Sequence, residues 1–471
     1  MLVYTNPDPV SVYVSFDVEG RVHEEYATNA AHLDLPAYSR EEVYDNAYFS
    51  YNAYSMIREL QLQNGLLLKN AIVIYRGNKK PRFYAELSNR KFCFFEKGLD
   101  IYKLYLYDFE TGLPSVQDPR FLLRIVNEKY QRFENEVKVA FSYNFYYFRN
   151  AKDVSPQQGI SKLQASTYGM AGYELARVSD FKDQWTTVTK KCVNMFAYSC
   201  IQHEIAGLEY TLIPLESMEM ADEAMKAKFI ITNYGRRAGL YANFMAKPLS
   251  GLPGCSGFVR VNLSQNPKSV PVPALAKKHH NLYEESAMLQ APAEQFLAGV
   301  LLAARDLVLI FAPTVNSYKR LWEQSSHLTS ISWGLTSENA IRIVAPPLCE
   351  LRDTHLEIRI PGADAQPHLV LAAILAAGYY GIETNAEIPF PPIGPFSAPQ
   401  KLDAAVERLT QMPKSLGEAI EVFRAPNSMA RKLLGDGFVN YYSENRLAEL
   451  NEWNKTVGSW EQLRYMEVQY Y

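Results

Sequence analysis

The stretch His355-Leu356-Glu357-Ile358-Arg359-Ile360-Pro361-Gly362-Ala363-Asp364 carries the clearest chemistry in the chain. Leu356, Ile358 and Ile360 alternate with Glu357 and Arg359, the period-two pattern of a strand with one apolar and one charged face. That spacing sets a carboxylate and a guanidinium side by side. Such a pair can hold a metal or an acidic substrate; the plainer alternative is a solvated strand face with a surface ion pair. The uncharged run Leu369–Ala377 follows at once and reads as a buried helix.

The elements that would position this pair belong to a chain of 471 residues, long enough for about two to three domains. Its 48% hydrophobic and 21% charged residues are those of an ordinary globular protein. A net charge of -3 supplies no field for nucleic acid or an anionic membrane, so neither is expected as a partner. Cys93, Cys192, Cys200, Cys255 and Cys349 are dispersed, odd in number and without zinc-site spacing, which points to a reduced, cytoplasmic setting. Met1–Pro9 lacks the basic region and apolar core of a signal peptide. Leu369–Ile382, the longest nearly uncharged apolar run, is too short to span a bilayer.

Residues 1–115 mix β-rich runs (Val10–Phe16, Ala71–Tyr75, Arg82–Tyr84, Asp100–Tyr107) with one helical stretch, Glu41–Gln63. They read as a small α+β domain. Asp118-Pro119-Arg120 then opens an amphipathic helix through Phe133, with Asp118 as N-cap and Pro119 in the first turn. Beyond it, strands are predicted at Val137–Phe148, Leu240–Phe244, Phe258–Leu263, Ala340–Ala345 and Leu356–Ile360. Helices are predicted at Gln184–Cys200, Ser217–Arg237, Ala291–Phe311, Leu369–Ile382, Pro399–Arg408 and Ser415–Ala425, with a largely helical tail over Asn427–Arg464. The proline-rich stretches Gln265–Ala274 and Glu387–Pro399 break the pattern as loops.

Four stretches carry a resemblance in a fixed order: Tyr107-Asp108-Phe109-Glu110-Thr111-Gly112 with Asp118-Pro119-Arg120; Phe244-Met245-Ala246-Lys247-Pro248 with Gly251–Gly257; Ala312-Pro313-Thr314-Val315-Asn316-Ser317-Tyr318-Lys319-Arg320-Leu321; and His355–Asp364 with Gln366-Pro367 and Ala372–Gly378. From about Tyr105 onward the chain resembles class I type members of the glutamine synthetase family. The resemblance implies an α+β fold. A β-grasp-like N-terminal domain over residues 1–115 would precede a catalytic-type domain over 116–471, built on a curved antiparallel sheet flanked by helices. It also implies ATP-dependent chemistry in which glutamate is phosphorylated and ammonia or an amine displaces the phosphate, with Mg²⁺ or Mn²⁺ bridging the phosphates. Six- or five-membered rings, single or stacked, are implied as well.

Carried over residue by residue, the site is degenerate. The family's paired metal glutamates on the first large-domain strand fall on Ser142 and Asn144, neutral groups that add no charge. The next pair falls on Glu204 and Glu209. The family's His-x-His falls on Phe258 and Arg260; a phenyl ring cannot ligate, and a guanidinium places fixed positive charge where a cation would sit. The substrate-loop glycine is kept as Gly254, although Pro253 stands where the family has Asn. Arg320, which the family uses on the glutamate carboxylate, is kept. The flap glutamate falls on Ser326, and 334–339 lacks the phosphate-gripping arginine, while Arg342 is kept. Glu357 and Arg359 survive as relic metal and substrate positions, and His355 replaces a preceding arginine.

Removal of one preorganised electrostatic group typically costs about 10²–10³ in rate. Several such losses together predict an inactive or severely impaired homologue, a pseudoenzyme with a structural or regulatory role in a ring. Such a subunit would assemble with itself or with an active paralogue, and no cofactor is expected. The alternative is an ATP-dependent ligase with an altered site, joining glutamate to ammonia or an amine with Mg²⁺ or Mn²⁺ and ATP. The remaining histidines read as solvated or structural: His23 and His32 at the surface, His279 and His280 in a basic loop, and His203 either structural or at the edge of the relic site.

Overall fold

The computed structural model describes short strands within the first 107 residues, then residues 116, 118–131, 135–150, 173–175, 197–202, 207–237, 239–249, 253–265, 283–322, 330–345, 354–393, 407 and 410–457. The first sheet is antiparallel throughout. It contains β1 (Leu2–Thr5), β2 (Val12–Tyr13), β3 (Arg82–Ala85), β4 (Lys91–Phe92) and β5 (Asp100–Tyr107). Its order is β2-β1-β5-β3, with β4 also on β5. The helix predicted at Glu41–Gln63 and the strand at Ala71–Tyr75 lie outside the described residues.

The second sheet positions the site. It is organised on β6 (Asn135–Asn150), the 16-residue strand that the aromatic alternation of Phe141–Phe148 foretells. The other strands are β7 (Tyr173–Leu175), β8 (Ala197–Gln202), β9 (Leu208–Leu212), β10 (Leu240–Asn243), β11 (Gly257–Gln265), β12 (Trp333–Gly334), β13 (Ile341–Val344) and β14 (His355–Ile358). The order is β12-β13-β14-β11-β6-β9-β8, with β7 and β10 also paired to β6. Two expectations are corrected here. The sheet is mixed rather than wholly antiparallel, because β12 runs parallel to β13. Ala197–Cys200, the end of the helix predicted at Gln184–Cys200, is strand: β8 satisfies its backbone on β9, with Ala197 opposite Leu212 and Cys200 opposite Tyr210.

The helices follow the apolar periodicity closely. Helix α1 (Pro119–Tyr130) begins where the Asp118 carboxylate accepts the Arg120 N–H at 2.9 Å, and it stops three residues short of Phe133. Next come α2 (Ser217–Arg237), α3 (Ala291–Phe311) and α4 (Val315–Leu321), the last closed by a Thr314/Ser317 capping box. Then follow α5 (Pro367–Glu383), α6 (Leu416–Arg424), α7 (Met429–Leu434) and α8 (Asp436–Lys455). Helices α3 and α5 cross at backbone contact. A Cβ on Gly299 would lie 2.2 Å from the Ala377 carbonyl, and one on Gly381 would lie 2.0 Å from that of Gln295, so both crossing points require glycine. Among the described residues, no helix is long and apolar enough to cross a membrane.

The register divides the sheet into two chemically distinct faces. Phe141, Tyr143, Phe145 and Tyr147 of β6 share one face with Val259 and Val261 of β11 and Leu356 and Ile358 of β14, all buried. This face packs on the helices: the Tyr147 hydroxyl donates to the Ile231 carbonyl in α2 at 3.0 Å. The opposite face carries the polar residues of the same strands.

Candidate functional site

Cross-strand neighbours share a face, so the register alone fixes which side chains meet. Arg260 on β11 stands opposite Glu357 on β14, and Glu357 stands opposite Arg342 on β13. Arg359, two residues beyond Glu357, falls on the same face. Arg260 Nε donates to Glu357 Oε2 at 3.2 Å, and Arg359 Nη1 donates to Glu357 Oε1 at 3.2 Å. Both carboxylate oxygens are thus engaged by guanidinium groups. Glu357 is only 5% exposed. The strand therefore does not present a solvated ion pair; the carboxylate is buried and its charge is balanced on two sides.

The neighbouring row is neutral or aromatic. Phe258 faces Ser142, Ser142 faces Thr211 on β9, and Asn144 faces Glu209. Ser142 is fully buried, its Oγ 2.7 Å from Thr211 Oγ1. Asn144 donates from Nδ2 to Glu209 at 3.2 Å and accepts from the Ser256 hydroxyl. The Arg359 guanidinium lies over the Phe258 ring, 4.5 Å from its centroid. A cleft of about 680 Å³ opens above these groups, bordered by Asn144, Tyr146, Glu209, Gly254, Ser256, Phe258 and Arg359. The Tyr146 hydroxyl donates to the Pro253 carbonyl at 2.9 Å and so ties the glycine loop to β6.

Beneath the loop lies a second, buried layer. A Cβ on Gly254 would meet Arg320 Cγ at 2.5 Å and the Ala246 carbonyl at 2.7 Å. Arg320 is buried behind that glycine and donates to the Ile360 carbonyl, rather than bordering the cleft. Burial lowers its pKa to about 10. Asp364 accepts from the Ser317 hydroxyl at 2.7 Å and the Thr314 hydroxyl at 2.9 Å, and desolvation raises its pKa. Lys228, deep in α2, donates to the Ala363 carbonyl at 2.5 Å and sits 4.3 Å from the Tyr143 ring centroid. Burial lowers its pKa to about 7, against the opposing pull of Asp364.

The structure thus brings Ser142, Asn144, Glu209, Gly254, Phe258, Arg260, Glu357 and Arg359 around one polar face, with Arg320 behind it. Glu204 and Ser326 lie outside the described residues. Lys228 and Ser256 had no chemical role in the sequence reading. Lys228 stands in a helix that also buries Asp222 and Glu223, and nothing local in the sequence separates these from the exposed Glu219. Ser256 lies inside the glycine-rich signature, which was the available signal.

Among the described residues, the side chains around Glu357 do not fit a divalent cation. Such a cation needs several oxygen or nitrogen donors carrying net negative charge. Ser142 and Asn144 are neutral and already hydrogen-bonded to protein partners, Phe258 offers no donor, and Glu357 faces two cations. Among the described residues, no group of three or more His, Cys, Asp or Glu side chains comes together that could hold a metal.

The chain is 29% identical over 373 residues to type-1 glutamine synthetase 2 of Dictyostelium discoideum, covering 78% of this chain and 68% of that one. It is 28% identical over 362 residues to glutamate–isopropylamine ligase of a Pseudomonas species, covering 76% and 75%. A solved structure of apo GmaS without ligand shares the fold at a TM-score of 0.61 and 22% identity, covering 82% of this chain and 85% of that one. Residues 116–465 match the family model for the glutamine synthetase catalytic domain, and the chain belongs to the glutamine synthetase family.

Proposed function

We propose that this chain is a catalytically inactive or severely impaired member of its family, serving a structural or regulatory role. The observation that carries the reading is the charge-balanced Glu357, both of whose oxygens are held by arginine. A cation approaching it must displace a guanidinium and meet the remaining positive charge. Phosphoryl transfer of the family's kind rests on positioning the reactants and neutralising the phosphate charge with metal and protein groups. Replacement at Ser142, Asn144, Phe258, Arg260 and Ser326 removes that support at several points, even with strong non-additivity between them.

The role left to such a chain is in an assembly. Residues 1–115 form a β-grasp-like domain in this reading, supported by the antiparallel strands β1–β5, and residues 116–471 form the catalytic-type domain. Head-to-tail contact between the small domain of one copy and the large domain of the next closes a hexameric or pentameric ring without requiring catalysis. Co-assembly with an active paralogue would use the same contact. Light scattering should report a multiple of the 53.6 kDa chain; a stable monomer at micromolar concentration would overturn the ring.

A second reading has its own support. The similarity to a glutamate–isopropylamine ligase, together with Glu209, Gly254 and Arg359 at the cleft, suits a ligase with an altered site that joins glutamate to an amine. One experiment separates the two. ADP release is followed with glutamate, ATP, Mg²⁺ or Mn²⁺, and ammonia or a small alkylamine. The first reading expects no glutamate-dependent release above background. Formation of glutamine or a γ-glutamylamide would overturn it and establish the second.

A further inference from the structure

We propose that Gln366 and His368 form an acid-sensitive latch at the start of α5: the Gln366 side chain caps the helix only while His368 is neutral, so protonation of His368 releases the cap. None of the latch residues borders the cleft, and the device stands whether or not the cleft retains ligase chemistry.

Four buried hydrogen bonds fix the protonation of His368. The Leu369 N–H can only donate, so the Gln366 atom 2.5 Å from it is the amide oxygen Oε1. The other end of that amide is then its NH₂ group, which also can only donate. It lies 3.0 Å from His368 Nδ1, so Nδ1 must be the unprotonated nitrogen of the ring. The ring proton sits on Nε2 and points at Asp222 Oδ1, 2.9 Å away, an oxygen that also accepts from Arg120 Nη1. The chain of bonds thus joins the first turn of α1, the body of α2 and the first turn of α5. Gln366 and His368 are each 1% exposed, and Asp222 and Arg120 are buried with them. Solvent cannot replace a lost partner unless this packing opens.

An imidazolium does not fit the chain. A proton on Nδ1 would face the Gln366 NH₂ group, donor against donor. Turning the amide over would offer Oε1 to Nδ1–H, but it would set the NH₂ group against the Leu369 N–H. At least one buried donor is left unpaired either way, and in the turned state α5 loses its cap. Burial acts in the same direction and is the largest influence on the ring, whose pKa falls from 6.5 to about 4. Among the described residues, the charged groups acting on it are Asp222, which favours the imidazolium, and Arg120, which opposes it. An open state that hydrates His368 regains the ordinary value. Between pH 6.5 and 4 the open state therefore binds more protons, and each unit of acidification favours opening by up to about tenfold. The released turn adjoins Asp364, which anchors α4 through the Ser317 and Thr314 hydroxyls.

Solid-state NMR of the full-length protein labelled with ¹⁵N-histidine reads the ring directly. The chain has 8 histidines, so loss of one signal in His368→Gln assigns it. The neutral form with its proton on Nε2 is expected at neutral pH. Hydrogen exchange at the Leu369 amide, corrected for its intrinsic pH dependence, should show protection falling by up to about tenfold per unit of acidification in that window. His368→Gln offers an acceptor to Gln366 and a donor to Asp222 at every pH. It should keep the helix capped and abolish the acid response. Gln366→Glu presents two acceptor oxygens, one for Leu369 N–H and one for Nδ1–H. It should raise the pH at which His368 titrates and weaken the acid response, an outcome that a general packing defect would not give. Should Gln366→Glu fail to fold, His368→Gln decides alone. A ring protonated on Nδ1 at neutral pH, Leu369 protection that stays flat while His368 titrates, or an acid response retained in His368→Gln overturns the proposal.

Discussion

Arg260 and Glu357 stand directly opposite one another on adjacent antiparallel strands, with Nε of one 3.2 Å from Oε2 of the other. The pair joins a half-exposed cation to a buried anion, and the two partners are not energetically equivalent. Arg260→Gln removes a solvent-screened charge while Arg359 still holds Glu357, so a loss of about 1 kcal/mol is expected. Glu357→Ala leaves two guanidinium groups facing each other across an empty pocket and should cost about 3 kcal/mol. Urea unfolding of both single variants and the double variant checks this; equal costs would show that Glu357 is not the centre of the network.

Rebuilding the family's donors should restore metal binding ahead of catalysis. The variant combining Ser142→Glu, Asn144→Glu, Phe258→His and Arg260→His should bind Mn²⁺, read by electron paramagnetic resonance, without glutamate-dependent turnover. The arginine absent from 334–339 and the group replaced at Ser326 would still be missing. Ser142→Glu alone should destabilise the protein, because it buries a carboxylate beside the Thr211 hydroxyl with no cation to balance it. Turnover in the fourfold variant would contradict the expected order.

Lys228 makes stability depend on pH in a defined window. Its pKa falls from 10.5 in the open chain to about 7 when folded, so the unfolded state binds more protons between those values. Stability should therefore rise with pH across that window, by at most about 1.4 kcal/mol per unit from this group. Lys228→Met should flatten the slope between pH 7.5 and 9.5 whatever its effect on absolute stability. Parallel slopes for the two proteins would exclude Lys228 as the source.

Gly254 is required by close packing rather than by backbone conformation. Gly254→Ala drives a methyl into Arg320 Cγ and the Ala246 carbonyl, and the second of these is backbone that cannot turn aside. A loss of about 1–3 kcal/mol is expected, with an unchanged urea m-value. Wild-type stability in this variant would mean that the glycine loop shifts freely over Arg320.

The sequence by itself determined most of the described helices, the central strands and the family. Apolar periodicity located α2 and α3 to the residue, and Asp118-Pro119 located the start of α1, because capping and amphipathic period are local properties. Motif order singled out Phe258 and Arg260, and the register sets both on the polar face with Ser142 and Glu357. Ala197–Cys200 was misread as helix because its strand state comes from pairing with β9, a partner not yet in the chain when its own residues are read. Tertiary structure alone decided that Glu357 is buried between Arg260 and Arg359, and that Arg320 lies behind Gly254. It alone decided that one lysine of α2 lies under the sheet. Alternation along a strand tells which residues share a face, but only the neighbouring strand's register tells which charges meet. Burial, which sets how strongly they interact, is a property of the whole packed layer.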